Sequence, residues 1–278
     1  LLPVTNGQIK LENKMNEKTA TLLLGNIASF NGKYKNYLGY ASDEKIYNKI
    51  NKAWEAFDLI DAEELRTIVD SALRQDIITG YNLKDIRYNP NFIPELTITY
   101  GHSDLIHAIQ LVGLLRSENI DAKIQLEPKT SAFIYLKEWG EPTETPDYKV
   151  RQIENGNYIA YSKEYDISFE FNTKAEKERF NHIILTYAKK NEENPKGVLY
   201  GSWWQPLYSS MNKLDGYREI TNKYIIKDNY LTESFTTNED SLEVIKGFNK
   251  VNPDVKVMSY KFWVNEAFYG YLVGEDYK

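Results

Sequence analysis

Apolar positions first recur at helical spacing at Ile46, Ile50, Ala53, Trp54 and Phe57, which predicts a helix opening at Asp43. A second stripe follows at Leu65, Ile68, Val69, Ala72 and Leu73, with Asp61 placed to cap it and Glu64 at the capping-box position. Asn89, Pro90 and Pro94 break this helical stretch. Beyond Pro94 the period changes. Leu96 to Tyr100 predicts a strand, and Ser103 to Glu118 predicts a helix that is apolar on most sides and therefore deeply buried. Ile120 to Leu126 and Ala132 to Leu136 predict two strands separated by a polar turn, Glu127 to Ser131.

Further strands are expected at Tyr148 to Ile153, Tyr158 to Ser162 and Ile167 to Phe171, with a hairpin turn at Asn155 and Gly156, residues that tolerate positive φ. Thr173 and Glu176 form a capping box ahead of a helix carrying Phe180, Ile183, Ile184 and Tyr187. Strands at Val198 to Tyr208, Tyr217 to Lys227 and Val255 to Val264, and a helix near Glu239 to Asn249, complete the pattern. The reading is an α+β fold: a helical N-terminal part packed on a mixed or antiparallel sheet with several helices. Residues 1–17 read as a polar tail, 18–94 as a helical region and 95–278 as the α+β body, all compatible with one continuous core.

Composition narrows the chemistry. The 278 residues carry a net charge of −6 with no basic run, which argues against nucleic acid, whose binding rests on neutralising phosphates. With no cysteine, disulfides, thiolate metal sites and thiol nucleophiles are excluded. The longest early apolar stretch, Thr19 to Phe30, is too short to span a bilayer. The chain opens on Leu1, so a removed leader or a trimmed start is expected. Together with 22 tyrosines and many asparagines this favours an exported or cell-surface protein, with the cytoplasm as the alternative.

The stretch from Gly101 to Trp139 holds a buried helix ending Leu114-Leu115-Arg116, then a strand entered through Asn119, Ile120, Asp121, Ala122 and Lys123. It resembles the core of the transglutaminase-like superfamily. On that resemblance Asp104 stands at the position of the nucleophilic cysteine, Ala108 at the small residue, Ser131 before Ala132 and Phe133 at the position of the histidine, and Asp147 at the third member. The sequence departs from the pattern at both essential groups, so the resemblance implies a scaffold whose catalytic positions are vacant. A buried helix followed by a strand is also a common unit without any such history.

Other candidates carry bland readings beside the functional ones. Asp104 and His107 share a helix face and with Glu127 offer three metal ligands, but a capping Asp104 and a core His107 account for them, so neither metal nor cofactor is expected. Glu127 and Lys129, with the hydroxyls beside them, make either a polar pocket or a solvated turn. Strand alternation puts Tyr200, Trp204 and Tyr208 on one face, either a platform for a sugar or peptide or part of the core. The expected function is non-catalytic binding of a glycan, peptide or protein. The alternative is a carboxylate-dependent hydrolase such as a glycosidase, which a carboxyl of raised pKa in a cleft favours.

Overall fold

The computed structural model describes residues 35–88, 92–187, 208–234 and 241–272, together with Val4–Thr5, Gln8–Ile9, Ala20 and Leu24. The strands are β1 (Val4–Thr5), β2 (Gln8–Ile9), β3 (Tyr37–Tyr40), β4 (Gly80–Asp85), β5 (Thr97–His102), β6 (Ala122–Tyr135), β7 (Tyr148–Gln152), β8 (Tyr158–Phe171), β9 (Tyr208–Ser210), β10 (Tyr217–Lys227), β11 (Tyr230–Ser234) and β12 (Met258–Asn265). The helices are α1 (Ile46–Glu55), α2 (Glu63–Arg74), α3 (Leu105–Ser117), α4 (Lys174–Tyr187), α5 (Ser241–Val251) and α6 (Glu266–Leu272).

Strands β6, β4, β11, β10, β12, β9, β5 and β8 neighbour one another in that order, and β8 pairs back onto β6, closing an eight-stranded antiparallel barrel. This corrects the expected helical N-terminal part on a mixed sheet. The N-terminal part itself contributes β3 and β4. The closing pair is the longest, in register from Ala122↔Phe171 to Tyr135↔Tyr158. Each of these two strands uses its other edge twice: β6 pairs with β3 near one end and β4 near the other, and β8 with β5 and then β7. Closure removes the exposed strand edges that an open sheet must protect.

The expected turn at Glu127 to Ser131 is instead the middle of β6. Pro128 fits there for a local reason. The Leu126 N–H donates to the Asn36 carbonyl on the β3 side, and backbone N–H groups alternate edges along a strand. Residue 128 therefore faces the same edge, in the gap between the last β3 partner, Gln125, and the first β4 partner, Lys129. A proline nitrogen leaves no ladder bond unmade at that point. In the same way the two strands expected at Tyr158 to Ser162 and Ile167 to Phe171 are one strand, β8.

Along β8, Tyr165, Ile167, Phe169 and Phe171 face outward, onto helices. With Ile124 and Leu126 of β6 and Ile98 and Tyr100 of β5 they form a core against α1, α3 and α4. A second core sets Leu65, Val69 and Leu73 of α2 and Phe248 of α5 against Tyr81 and Leu83 of β4 and Ile159 of β8. Burying each such side chain contributes roughly 1.5–3 kcal/mol. The apolar face of the barrel wall is thus its outer face, so the alternate residues, many of them charged, point into the lumen.

Local signals set several helix starts. The Asp104 carboxylate accepts from the Ile106 N–H at 3.0 Å and caps α3. Thr173 Oγ1 accepts from the Glu176 N–H at 3.1 Å and caps α4. Asp61 makes an ion pair with Arg66 at 3.1 Å, and α2 begins without a side-chain cap. Among the described residues no helix is long and apolar enough to cross a membrane.

Candidate functional site in the barrel lumen

The lumen is a cavity of about 650 Å³. Its wall takes Asn82 and Lys84 from β4, Glu127, Lys129 and Ser131 from β6, and Glu164, Asp166 and Ser168 from β8. The far wall supplies Ile220, Asn222 and Tyr224 from β10, Glu233 from β11 and Tyr260 and Phe262 from β12. Phe268 and Leu272 of α6 close one side and, with Ile220, Phe262 and Val264, make an apolar patch.

The charged groups form one network. Asp166 is gripped on both sides: Lys129 Nζ lies 2.9 Å from its Oδ1 and Lys84 Nζ 2.7 Å from its Oδ2. Each lysine holds a second acid, Lys84 with Glu233 at 3.1 Å and Lys129 with Glu164 at 3.3 Å. The Tyr260 hydroxyl donates to Glu233 and accepts from Asn222 Nδ2 at 3.3 Å. Gly101 of β5 makes room for this network. A Cβ there would lie 2.6 Å from Asp166 Oδ1 and 2.7 Å from Lys129 Nζ.

Burial alone would raise Asp166, but Lys129 and Lys84 outweigh it and hold the carboxyl well below the usual range. Burial would lower Lys84, yet Asp166, Glu233 and Glu127 keep it charged. Glu127 differs. It is in register with Asp166 across β6 and β8, only 5% exposed, and among the described residues it is in no ion pair. Its Oε1 has no hydrogen-bond partner. Burial pushes its carboxyl up to about 7, with Asp166 and Glu233 acting the same way against Lys84 and Lys129. Asn222, 8% exposed, likewise has an Oδ1 with no donor.

The candidates from the sequence fall in different places. Glu127, Lys129 and Ser131 share the inner face of β6, and Ser131 Oγ approaches Asn82 Oδ1 at 3.4 Å. Asp104 is exposed at the start of α3, and Asp147 accepts from Lys163 Nζ at 3.1 Å outside the lumen. His107 meets His102 edge to face, with ring nitrogens 3.0 and 3.1 Å apart. Burial lowers His102 to about 4 and His107 to about 3; Lys129 adds to the first and His102 to the second, while Asp104 opposes both. Among the described residues no three His, Cys, Asp or Glu gather as metal ligands. Tyr208 is core, 1% exposed and packed on Tyr100, while Tyr200 and Trp204 lie outside the described residues, as does nearly all of the strand expected at Val198 to Tyr208.

Sequence reasoning missed Lys84, Asp166, Asn222, Glu233 and Tyr260. The signal was present in β8, where Glu164, Asp166, Ser168 and Glu170 alternate strictly with Tyr165, Ile167, Phe169 and Phe171. The fold defines a closed antiparallel barrel with a charged lumen and an apolar, helix-covered exterior. No protein-family model, curated protein or solved structure matches the chain.

Proposed function

We propose that this chain is a binding protein that takes one small polar molecule into its barrel lumen. The observation that carries the reading is the pair of buried acceptors on the cavity wall, Glu127 Oε1 and Asn222 Oδ1, to which no group of the described structure donates. An unmet buried acceptor costs about 1–3 kcal/mol, so a molecule that donates to them recovers energy on binding. The cavity lies within the ~300–1,000 Å³ usual for small-molecule sites. The test is thermal unfolding with sugars, polyols, amino acids and primary amines, on the wild type and on the lumen-filling variants Thr99→Phe and Ser131→Phe. One class should raise the wild-type Tm by about 5 °C at saturation and leave the filled variants unmoved. A panel without effect, or an equal rise in the filled variants, overturns the reading.

A second reading, carboxylate-dependent hydrolysis, is favoured by one observation. Glu127 and Asp166 face each other in register and their acidities are pushed apart, as in an acid and its ionised partner. Against it, Asp166 is neutralised by two lysines, which weakens it as a nucleophile or base. Turnover of chromogenic glycosides that is abolished by both Glu127→Gln and Asp166→Asn would put hydrolysis ahead of binding.

A further inference from the structure

The ion pairs of the lumen leave one acid outside them. Lys84 and Lys129 share Asp166 and each takes one further carboxylate, Glu233 and Glu164. Both cations are therefore held at close range by other acids, and Glu127, from the same wall, is in no ion pair among the described residues and feels Lys84 and Lys129 only at longer range. Ionised, it leaves the lumen with four carboxylates against two ammonium groups. His102, which also lines the cavity, is neutral near pH 7 and adds no charge. Tyr260 donates to Glu233 and is not available to Glu127 as a proton donor. The missing component is a cation that also donates hydrogen bonds, and Asn222 Oδ1 is a second acceptor on the same cavity wall. Beside Asn222 on the inner face of β10 lies Ile220, and with Phe262, Phe268 and Leu272 it forms the apolar side of the cavity.

We propose that the lumen selects a primary ammonium ion with an apolar body, the ammonium entering at Glu127 and the body lying against Ile220, Phe262, Phe268 and Leu272. This rests on the lumen-binding reading and narrows it. A neutral polyol would meet the acceptors but leave Glu127 uncompensated, and an anion would add to the excess of carboxylate. Because the ammonium stays protonated from pH 5 to 8, binding depends on Glu127 giving up its own proton, so affinity falls as the pH drops.

The test uses 2-phenylethylamine and its neutral counterpart 2-phenylethanol, titrated calorimetrically at pH 8 and pH 5 into the wild type, Glu127→Gln and Asn222→Leu. At pH 8 the amine should bind the wild type at least tenfold more tightly than the alcohol, and about 100-fold more weakly at pH 5 than at pH 8, since a carboxyl titrating near 7 is about 1% ionised at pH 5. Glu127→Gln should bind amine and alcohol alike at both pH values. Asn222→Leu should weaken the amine yet keep its pH dependence, so a folding defect in one variant does not decide the matter. If the alcohol binds as well as the amine, or Glu127→Gln leaves the amine unaffected, the ammonium inference fails. Should sugars or polyols stabilise the protein in the thermal panel while the amine does nothing, the inference fails and the lumen-binding reading stands. With no response from any compound, both fail.

Discussion

Gly101 is the residue on which the lumen network depends most directly, because the Lys129–Asp166 pair occupies the space its side chain would need. Neither partner can swing away without breaking an ion pair that is buried on both sides, and breaking such a pair costs about 3–5 kcal/mol when it leaves a charge uncompensated. Partial accommodation of a single methyl group should bring the cost of Gly101→Ala to roughly 1–3 kcal/mol. Gly113, inside α3, is the matching control: a Cβ there meets only the Tyr47 hydroxyl at 3.7 Å, an ordinary contact. Gly113→Ala should therefore stabilise by up to about 1 kcal/mol, the helical preference of alanine over glycine. Urea unfolding of the two variants should move in opposite directions. Equal shifts would mean that the approach of Asp166 and Lys129 to Gly101 does not constrain the backbone.

At the scale of the element, α4 is set by its first turn. Removing the Thr173 hydroxyl leaves the Glu176 N–H without its acceptor, and Thr173→Ala should cost about 1 kcal/mol in urea unfolding with an unchanged m-value. An unchanged midpoint would show that water replaces the cap at no cost. That cap was legible in the sequence, as were α1, α2, α3 and α5 to within about three residues, because α1, α2 and α5 display an apolar stripe with period 3.6 and α3 is apolar on most sides. The strands were harder for an opposite reason. Glu127, Lys129 and Ser131 were read as a polar turn because charged residues ordinarily mark solvent, and here they mark the inside of β6. The short strands β3, β4 and β11 gave no signal of their own: β4 carries Asn82 and Lys84 on its inner face and β11 carries Glu233. Of the site, Glu127, Lys129 and Ser131 were named from the sequence and Asp166 was legible in the alternation of β8, whereas the grouping of Lys84 and Lys129 around Asp166 was not, since only pairing across strands brings them together.

Closure belongs to the whole molecule. It depends on partners such as β4 and β11, far apart in the chain, and no local pattern encodes it. Its consequence is a set of charges confined in a low-dielectric lumen, and this makes the stability of the entire barrel depend on pH. Glu127 has its folded value raised from 4.5 to about 7 by burial first, then by Asp166 and Glu233. A raised value means that the folded state binds the proton more tightly than the unfolded chain does. The contribution is fully present below 4.5 and is lost as the pH rises through 7, on the order of 3 kcal/mol in all. His102 and His107 act with the opposite sign. Their folded values are lowered, so their contribution is present above the ordinary imidazole value of 6.5 and is lost as the pH falls toward 4 and 3. The total profile mixes these effects, but Glu127→Gln removes only the first, so the wild-type stability minus that of the variant isolates it. Measured by urea unfolding from pH 4 to pH 9, this difference should decline steadily between about 4.5 and 7 and level off above pH 8. A flat difference would mean that Glu127 ionises as an ordinary carboxyl, which would also remove the proton exchange expected when an ammonium ion enters the lumen.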